Sequence, residues 1–451
     1  MDPITLGILG LVILIALIAI RIPIAYAMIL VGGVGVMIVN GPLLVLSQLK
    51  TLGWGVFSNY GLSVVPMFVL MGALASKAGL SQAIFRGANA WLGWLKGGTA
   101  MAAIAACAGF GAVCGSSLAT ASTMGRVALP ELKRYRYSGA LATGSLAAGG
   151  VLGILIPPSV VLIIYAIIVE ANIVTMFAAA LLPGILAVIL FILTIAVYVS
   201  IRPEAGPRHE GVDAQEFRDA TLGVIPVLVI FGIVLGGIYA GFYNPTPAAA
   251  IGVALVWAYG ALKREIGWRA MIDSLKETAG TTGMIYLILR GAELMKIYMS
   301  RIGLPQATAE WIIVNGFSPM VVMVLLLLAL ILLGCLMDSL SMILLVIPFF
   351  WPVLVDLNGG LYMPAEGSGF GMSTEDLKIW FGILALIVVE LGLITPPVGM
   401  NVFVISALAT DTPMSETFRG VMPFFVAELF RVAIILSFPL TALWLPRLLG
   451  G

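Results

Sequence analysis

The residues in this sequence whose types and spacing could do chemistry are oxygen donors set into interrupted apolar segments. Cys114-Gly115-Ser116-Ser117-Leu118-Ala119-Thr120 runs on to Arg126, and Ile154-Leu155-Ile156-Pro157-Pro158-Ser159 follows it. Far downstream, Met337-Asp338-Ser339-Leu340-Ser341 and Thr395-Pro396-Pro397-Val398-Gly399 take the same two places. Glycines, hydroxyl residues and paired prolines free amides and carbonyls that hydrocarbon cannot solvate, so such stretches are tolerable only around a polar cavity. Hydroxyls, carboxylates and freed carbonyls are hard oxygen ligands suited to a small cation. One candidate cage uses Ser116, Ser117 and Thr120 with the backbone from Ile156 to Ser159, Pro157 included. A second uses Asp338 and Ser339 with Thr395, Val398 and Gly399. Paired broken helices of this kind point to the midplane site of a secondary transporter. Ser and Thr also bond their own helix or pack between helices, so a structural role competes at each single position.

Composition fixes the class in which this chemistry sits. Of 451 residues, 61% are hydrophobic and 10% charged, with a mean hydropathy of +1.13. A soluble core of this length is never so apolar, and a polytopic membrane protein follows. The net charge of +1 leaves no basic stripe for nucleic acid and no acidic tail. Cys107, Cys114 and Cys335 lack C-x-x-C spacing and His209 is the only histidine, which argues against metal, haem or thiol-redox roles. A membrane hydrolase would need a nucleophile with a base, yet His209 lies in the most polar segment, away from every Ser-rich turn. No G-x-x-x-x-G-K-[ST] loop supports primary transport. A purely structural subunit would not need two polar interruptions at depth.

The elements that must hold these residues are helices. Apolar runs predict spans at about 4–20, 22–40, 60–76, 98–130, 139–169 and 173–200, then at about 220–242, 246–262, 279–297, 319–353, 379–409 and 421–445. The first run is read as a retained helix rather than a cleaved leader, because Asp2 and no Lys or Arg precedes it. The halves repeat each other. Arg21-Ile22-Pro23-Ile24-Ala25-Tyr26-Ala27 lines up with Asn244-Pro245-Thr246-Pro247-Ala248-Ala249-Ala250, and Ser76-Lys77-Ala78-Gly79-Leu80 with Ser300-Arg301-Ile302-Gly303-Leu304. The paired prolines follow in the same order. The organisation predicted is repeat 1 over 1–201, a polar linker over 202–219, and repeat 2 over 220–451.

Charge sets orientation. Lys77, Arg86 and Lys96 precede the 98–130 segment and Lys133, Arg134 and Arg136 follow it, so this segment enters and leaves by the cytoplasmic face as a re-entrant hairpin. The 319–353 segment is followed by Asp356, Glu366, Glu375 and Asp376, which fits a hairpin entering from outside. About ten crossings remain besides the two hairpins, five per half, an odd number that makes the repeats inverted. Leu46 to Ser58 and Glu265 to Thr278 are too short and polar to span, and read as paired arms along the interface. Ionisable residues at depth need partners. Arg290 with Glu293, and Glu428 with Arg431, are spaced three apart and read as structural pairs. Arg126 either attracts an anion or reaches for the cytoplasmic face. Glu390 either tunes the second cage or pairs with a basic residue.

Together, Pro66-Met67-Phe68, Gly115-Ser116-Ser117-Leu118-Ala119-Thr120, Ile156-Pro157-Pro158-Ser159, Gly236-Gly237-Ile238-Tyr239 with Asn244-Pro245-Thr246, and Thr395-Pro396-Pro397-Val398-Gly399 resemble the large membrane subunit of tripartite ATP-independent periplasmic (TRAP) transporters over nearly the whole chain. Asn244-Pro245-Thr246-Pro247-Ala248 departs from the T-P-T-E-A common in that family. The resemblance implies an all-α, elevator-type importer in the bacterial inner membrane, driven by sodium ions. It also implies pairing with a small four-helix membrane (Q) subunit and supply by a periplasmic solute-binding (P) protein carrying a small organic anion, such as a carboxylate, sugar acid or sulfonate. On that reading the two cages are sodium sites, and Arg126 and Asn401 are substrate candidates. The alternative is a stand-alone sodium or proton coupled carboxylate carrier of the same repeat plan.

The charge pattern predicts that both termini and the 358–373 insert face outward, with 202–219 cytoplasmic. Single cysteines introduced into a cysteine-free background test this. A linker cysteine should resist membrane-impermeant thiol reagents in intact cells, and its labelling from outside would remove the inverted assignment.

Overall fold

The computed structural model describes residues 3–58, 60–208 and 211–449, and the sole histidine, His209, lies outside the described residues. Among those residues the chain forms α-helices and no strand. The first half contains α1 (Pro3–Ala19), α2 (Ile24–Asn40), α3 (Pro42–Phe57), α4 (Val64–Lys77) and α5 (Leu80–Leu92). It continues with α6 (Gly98–Cys114), α7 (Ser117–Arg134), α8 (Gly139–Leu155), α9 (Val160–Ile168) and α10 (Ile173–Ile201). The second half contains α11 (Ala214–Tyr239), α12 (Pro245–Leu262), α13 (Trp268–Arg301), α14 (Leu304–Val314) and α15 (Pro319–Gly334). It ends with α16 (Ser339–Asn358), α17 (Thr374–Gly392), α18 (Met400–Leu408), α19 (Met414–Ser437) and α20 (Leu440–Leu448).

Local sequence explains where these helices begin. Asn172 caps α10 by accepting from the Val174 and Thr175 amides, and Asp213 caps α11 by accepting from Glu216 N at 2.7 Å, which closes the polar linker. Ser138, Ser318 and Ser373 do the same for α8, α15 and α17. Each side-chain oxygen satisfies an amide that has no partner within the helix.

Two helix pairs occupy the expected hairpin positions: α6 packs on α7, and α15 on α16. The expected broken segments are α8 with α9, bent by 46°, and α17 with α18. By length and composition six helical segments can cross a membrane: Tyr60–Lys77, α10, α11, α12, α16 and α19. The bent α8–α9 pair makes a seventh. Among the described residues six of these coincide with the ten crossings expected, α16 belonging to an expected hairpin. α1 and α2 fall short because they are apolar but only 17 residues long, and the expected spans at 279–297 and 379–409, in α13 and α17–α18, are not among them either. The arms also differ from expectation. The first is a helix of its own, α3, whereas the second merges with the span after it into α13, 34 residues long. No proline interrupts it, and the Ser274 and Thr278 hydroxyls bond back to the carbonyls of Ala270 and Ser274, so its polar start stays helical.

The centre of the protein is built on α8 and α17, whose residues from Leu141 to Leu155 and from Trp380 to Gly392 are all buried. α8 lies against α6, α7 and α19, and α17 against α15. Small residues permit this: a Cβ placed on Gly144 would lie 2.4 Å from the Gly420 carbonyl carbon, and one on Gly420 only 1.8 Å from the Ala140 oxygen. Such backbone approach is how helices associate where no hydrophobic effect drives them together. The outer surface carries exposed apolar side chains such as Ile38, Leu228, Leu332 and Val426, as lipid contact requires.

One expected ion pair is formed. Arg431 meets Glu428 at 2.5 Å with both side chains fully buried, and also donates to the Pro183 oxygen of α10 at 3.2 Å. Arg290 and Glu293 are not among the ion pairs of the described residues, although Arg290 is not without an interaction.

The α8–α19 contact generates a prediction. Gly420→Ala must push the helices apart and should lower stability by about 1–3 kcal/mol. Gly236→Ala, with nothing within 4 Å of the added atom, should be neutral or slightly stabilising. Melting temperatures in detergent should separate the two, and equal values would refute the contact.

Candidate functional site

The first tip is made where α6 ends at Cys114. Gly115 takes φ +65°, a left-handed conformation that glycine adopts without a steric penalty. A Cβ there would also lie 3.1 Å from the Pro158 oxygen. The tip is therefore seated directly on the break between α8 and α9. Ser116 then caps α7, accepting from Ala119 N at 3.4 Å. Across from it the Pro157–Pro158 bond is cis and Ser159 caps α9, accepting from Leu162 N at 3.3 Å. Thr120 faces the last turn of α8: a Cβ on Gly153 would fall 2.4 Å from its hydroxyl and 2.8 Å from the Ser116 oxygen. The structure thus gathers Ser116, Ser117, Thr120, Pro157 and Ser159 around one junction.

The second tip follows α15. Gly334 abuts Gly392 of α17, where an added Cβ on Gly392 would lie 2.5 Å from the Gly334 carbonyl carbon. The chain then turns through Cys335 to Met337, and Asp338 caps α16, its Oδ2 accepting from Ser341 N at 3.1 Å. Among the described residues Asp338 makes no ion pair. Both tips border a single cavity of about 220 Å³: Ser116 and Ser117 line it from α7, Asp338 and Ser339 from α16. Lys77 of α4 and Glu277 of α13 line it as well. Lys77 is held there by donating to the Ala270 oxygen at 3.2 Å.

The remaining candidates are placed differently. Thr395, Val398 and Gly399 do not border this cavity. The Thr395 hydroxyl donates to the Leu391 oxygen at 2.6 Å, Pro396–Pro397 is cis, and Val398 is 38% exposed. Arg126 is exposed on α7 and does not reach the cavity either. Asn401 is fully buried; its Nδ2 donates to the Ala147 oxygen of α8 at 3.3 Å. A Cβ on Gly150 would lie 3.0 Å from that nitrogen and 3.2 Å from the Ser117 oxygen. Asn401 therefore stands behind the first tip. At the C-terminal end of α7, Lys133 meets Asp411 of the α18–α19 connection at 2.7 Å, and this hydrogen bond holds the Asp411 carboxyl below the ordinary carboxylate range.

Three buried groups near the tips carry oxygens with no hydrogen-bond partner: Thr120 Oγ1, Asn401 Oδ1 and both oxygens of Glu390. Buried acceptors are almost always paired in native proteins. A hard monovalent cation at the junction would satisfy oxygens of this type, so the donor set fits such an ion. The cavity contributions of Lys77 and Glu277 are not legible in sequence, where Lys77 reads as a basic flank within a repeated segment and Glu277 as part of the second arm.

Comparison with known proteins bears on this geometry. The chain is similar to the C4-dicarboxylate TRAP transporter large permease protein of Pseudomonas aeruginosa, 33% identical over 394 residues covering 87% of each chain. It is also similar to the sialic acid TRAP transporter large permease protein of Vibrio cholerae, 31% identical over 405 residues and 88% of each. Among solved structures, the Alcanivorax borkumensis YdaH transporter shares the fold with a TM-score of 0.61 at 14% identity, covering 88% of both chains. The sequence profile described as "Tripartite ATP-independent periplasmic transporter, DctM component" matches residues 11–441. The chain is a multi-pass membrane protein belonging to the DctM family, the large permeases of TRAP transporters.

Proposed function

We propose that this protein is the large permease subunit of a sodium-coupled TRAP importer for a small organic acid, acting in the bacterial inner membrane. The observation that carries this reading is the meeting of two helix tips, Ser116-Ser117 and Asp338-Ser339, at one cavity beside buried oxygens without partners. Helix N-termini and broken backbone at a midplane cavity are the means by which secondary transporters hold ions and anionic substrates. Sodium would be held by Ser116, Ser117, Thr120 and the Pro157–Ser159 backbone at the first junction, with Asn401 Oδ1 in reach. Asp338 and Ser339 would serve the second. The names of the relatives, a C4-dicarboxylate and a sialic acid transporter protein, support a carboxylate substrate. The word tripartite in the family description supports two partners, a small membrane subunit and a periplasmic binding protein.

The reading extends to how the chain moves. Residues 1–201 and 220–451 act as inverted repeats joined by the 202–219 linker, each contributing one re-entrant hairpin and one broken helix. The hairpins α6–α7 and α15–α16, with α8, α9, α17 and α18, form a body that carries the site past α4 and α13. The seating of Gly115 on the Pro158 oxygen supports joint movement of tip and break, as does the bond from Asn401 of α18 to Ala147 of α8.

Uptake into proteoliposomes containing the permease, its small subunit and its binding protein, across a panel of organic acids, tests the function. Uptake should require a sodium gradient and the binding protein; uptake without the latter would mark a stand-alone carrier. Asp338→Asn keeps shape and one acceptor oxygen but removes the charge, so it should raise the sodium concentration for half-maximal uptake on the order of tenfold. An unchanged value, normalised to folded protein, would remove Asp338 from the ion site.

The elevator reading has its own test. Ser76 of α4 and Thr123 of α7 face each other with hydroxyl oxygens 3.4 Å apart. Joining Ser76→Cys to Thr123→Cys with a short bifunctional reagent should arrest transport, and reversal of the crosslink should restore it. Full-rate uptake with the crosslink complete would refute relative motion of these two helices.

A further inference from the structure

Near the end of α17 stands Glu390, which is fully buried and has no hydrogen bond to either carboxyl oxygen. Its polar neighbours are the hydroxyls of Ser117 and Ser339, neither of which closes a bond of ordinary geometry to it. These are the first residues of α7 and α16, one from each tip. No ion pair among the described residues involves Glu390. The charges that reach it across the interior are Glu428 and Arg431 of α19. Arg431 pairs with Glu428 and donates to the Pro183 oxygen through its two terminal nitrogens, which leaves its Nε without a hydrogen bond, and it forms no ion pair with Glu390. The helices α8, α10 and α15 packed around α17 carry no Asp, Glu, Lys, Arg or His. α9 contributes only Tyr165, whose hydroxyl donates to the Lys378 oxygen. On α16, Asp338 caps its own helix and Asp356 lies near the other end. Arg447 of α20 is paired with Asp376 at the opposite end of α17.

A carboxyl so placed is not an ordinary structural partner. A buried carboxylate without a counter-ion is expensive, and the favourable features around this one are two helix N-termini, each bearing the positive end of a helix dipole. We propose that Glu390 is the charge-balancing group shared by both tips: a positioning residue that turns the Ser117 and Ser339 hydroxyls toward one carboxylate and links cation binding at one tip to binding at the other. The inference rests on the sodium reading above and adds to it a single anion common to both sites. Its consequence is a steep sodium dependence, because an ion arriving at either tip reorganises the group that the other tip uses.

Melting temperature of the full chain in detergent, followed against sodium chloride with choline chloride holding ionic strength constant, tests this without transport. In Glu390→Gln the sodium concentration at half-effect should rise about tenfold or more, and the Hill coefficient should fall toward one. Glu390→Asp, which keeps the charge, should retain the steepness with a smaller shift. Glu428→Gln, which breaks a structural pair, should lower the melting temperature at all sodium concentrations with the half-effect unchanged. If Glu390→Gln behaves as Glu428→Gln does, the proposal is overturned. Should Glu390→Gln fail to fold, a wild-type half-effect and steepness in Ala replacements of both Ser117 and Ser339 would overturn it equally. A wild-type melting temperature indifferent to sodium would overturn the sodium reading itself, which is a distinguishable outcome.

Discussion

A helix broken inside a membrane leaves amides and carbonyls that hydrocarbon cannot solvate, and the rest of this structure depends on how those groups are satisfied. Three of the breaks are closed by the side chain of the residue just before the new helix: Ser116, Ser159 and Asp338 each accept from an amide three residues on. At the fourth, the amide of Asn401 donates to the Leu393 oxygen. Once these amides are satisfied, the oxygens near the breaks that stay unpartnered are those of Thr120, Asn401 and Glu390. Oxygens of this kind suit the cation that we propose.

The junction also requires backbones to approach closely. Gly115 against Pro158, Gly153 against Thr120, Gly392 against Gly334 and Gly420 against Ala140 are all contacts that a side chain would obstruct. They tie the tips and breaks to α8 and α17, the two most completely buried helices. Polar groups in the core are thus held by small-residue packing of helices rather than by loops, which suits a site that must keep its geometry.

Much of this could be read from the sequence because the informative residues are ones whose backbone preferences are strong. Pro157-Pro158 and Pro396-Pro397 remove amides that a helix needs, and Gly115-Ser116 and Asp338-Ser339 favour a stop and a new cap, so the four interruptions fall where expected. The gathering of Ser116, Ser117, Thr120 and Ser159 follows from the same local signals. The partners of the second tip could not be read this way. Thr395 and Val398 have the right types, but which of them faces Asp338 depends on how α17 and α18 pack, and they do not border the shared cavity. Arg126 is set outward by the register of α7. Glu390, invisible as more than a buried charge, acquires its neighbours only when two distant tips converge. The second arm misled for the opposite reason: its polarity suggested a separate element, while the absence of any proline let one helix run through Gly280 and Gly283.

That unbroken helix has a geometric consequence. With 34 residues at about 1.5 Å each, α13 is roughly 50 Å long, against a hydrocarbon thickness of about 30 Å. Its polar start and its membrane-crossing part cannot choose their inclinations separately. Because both parts lie in one continuous helix, a tilt of the apolar portion carries along Glu277, which lines the cavity shared by the tips.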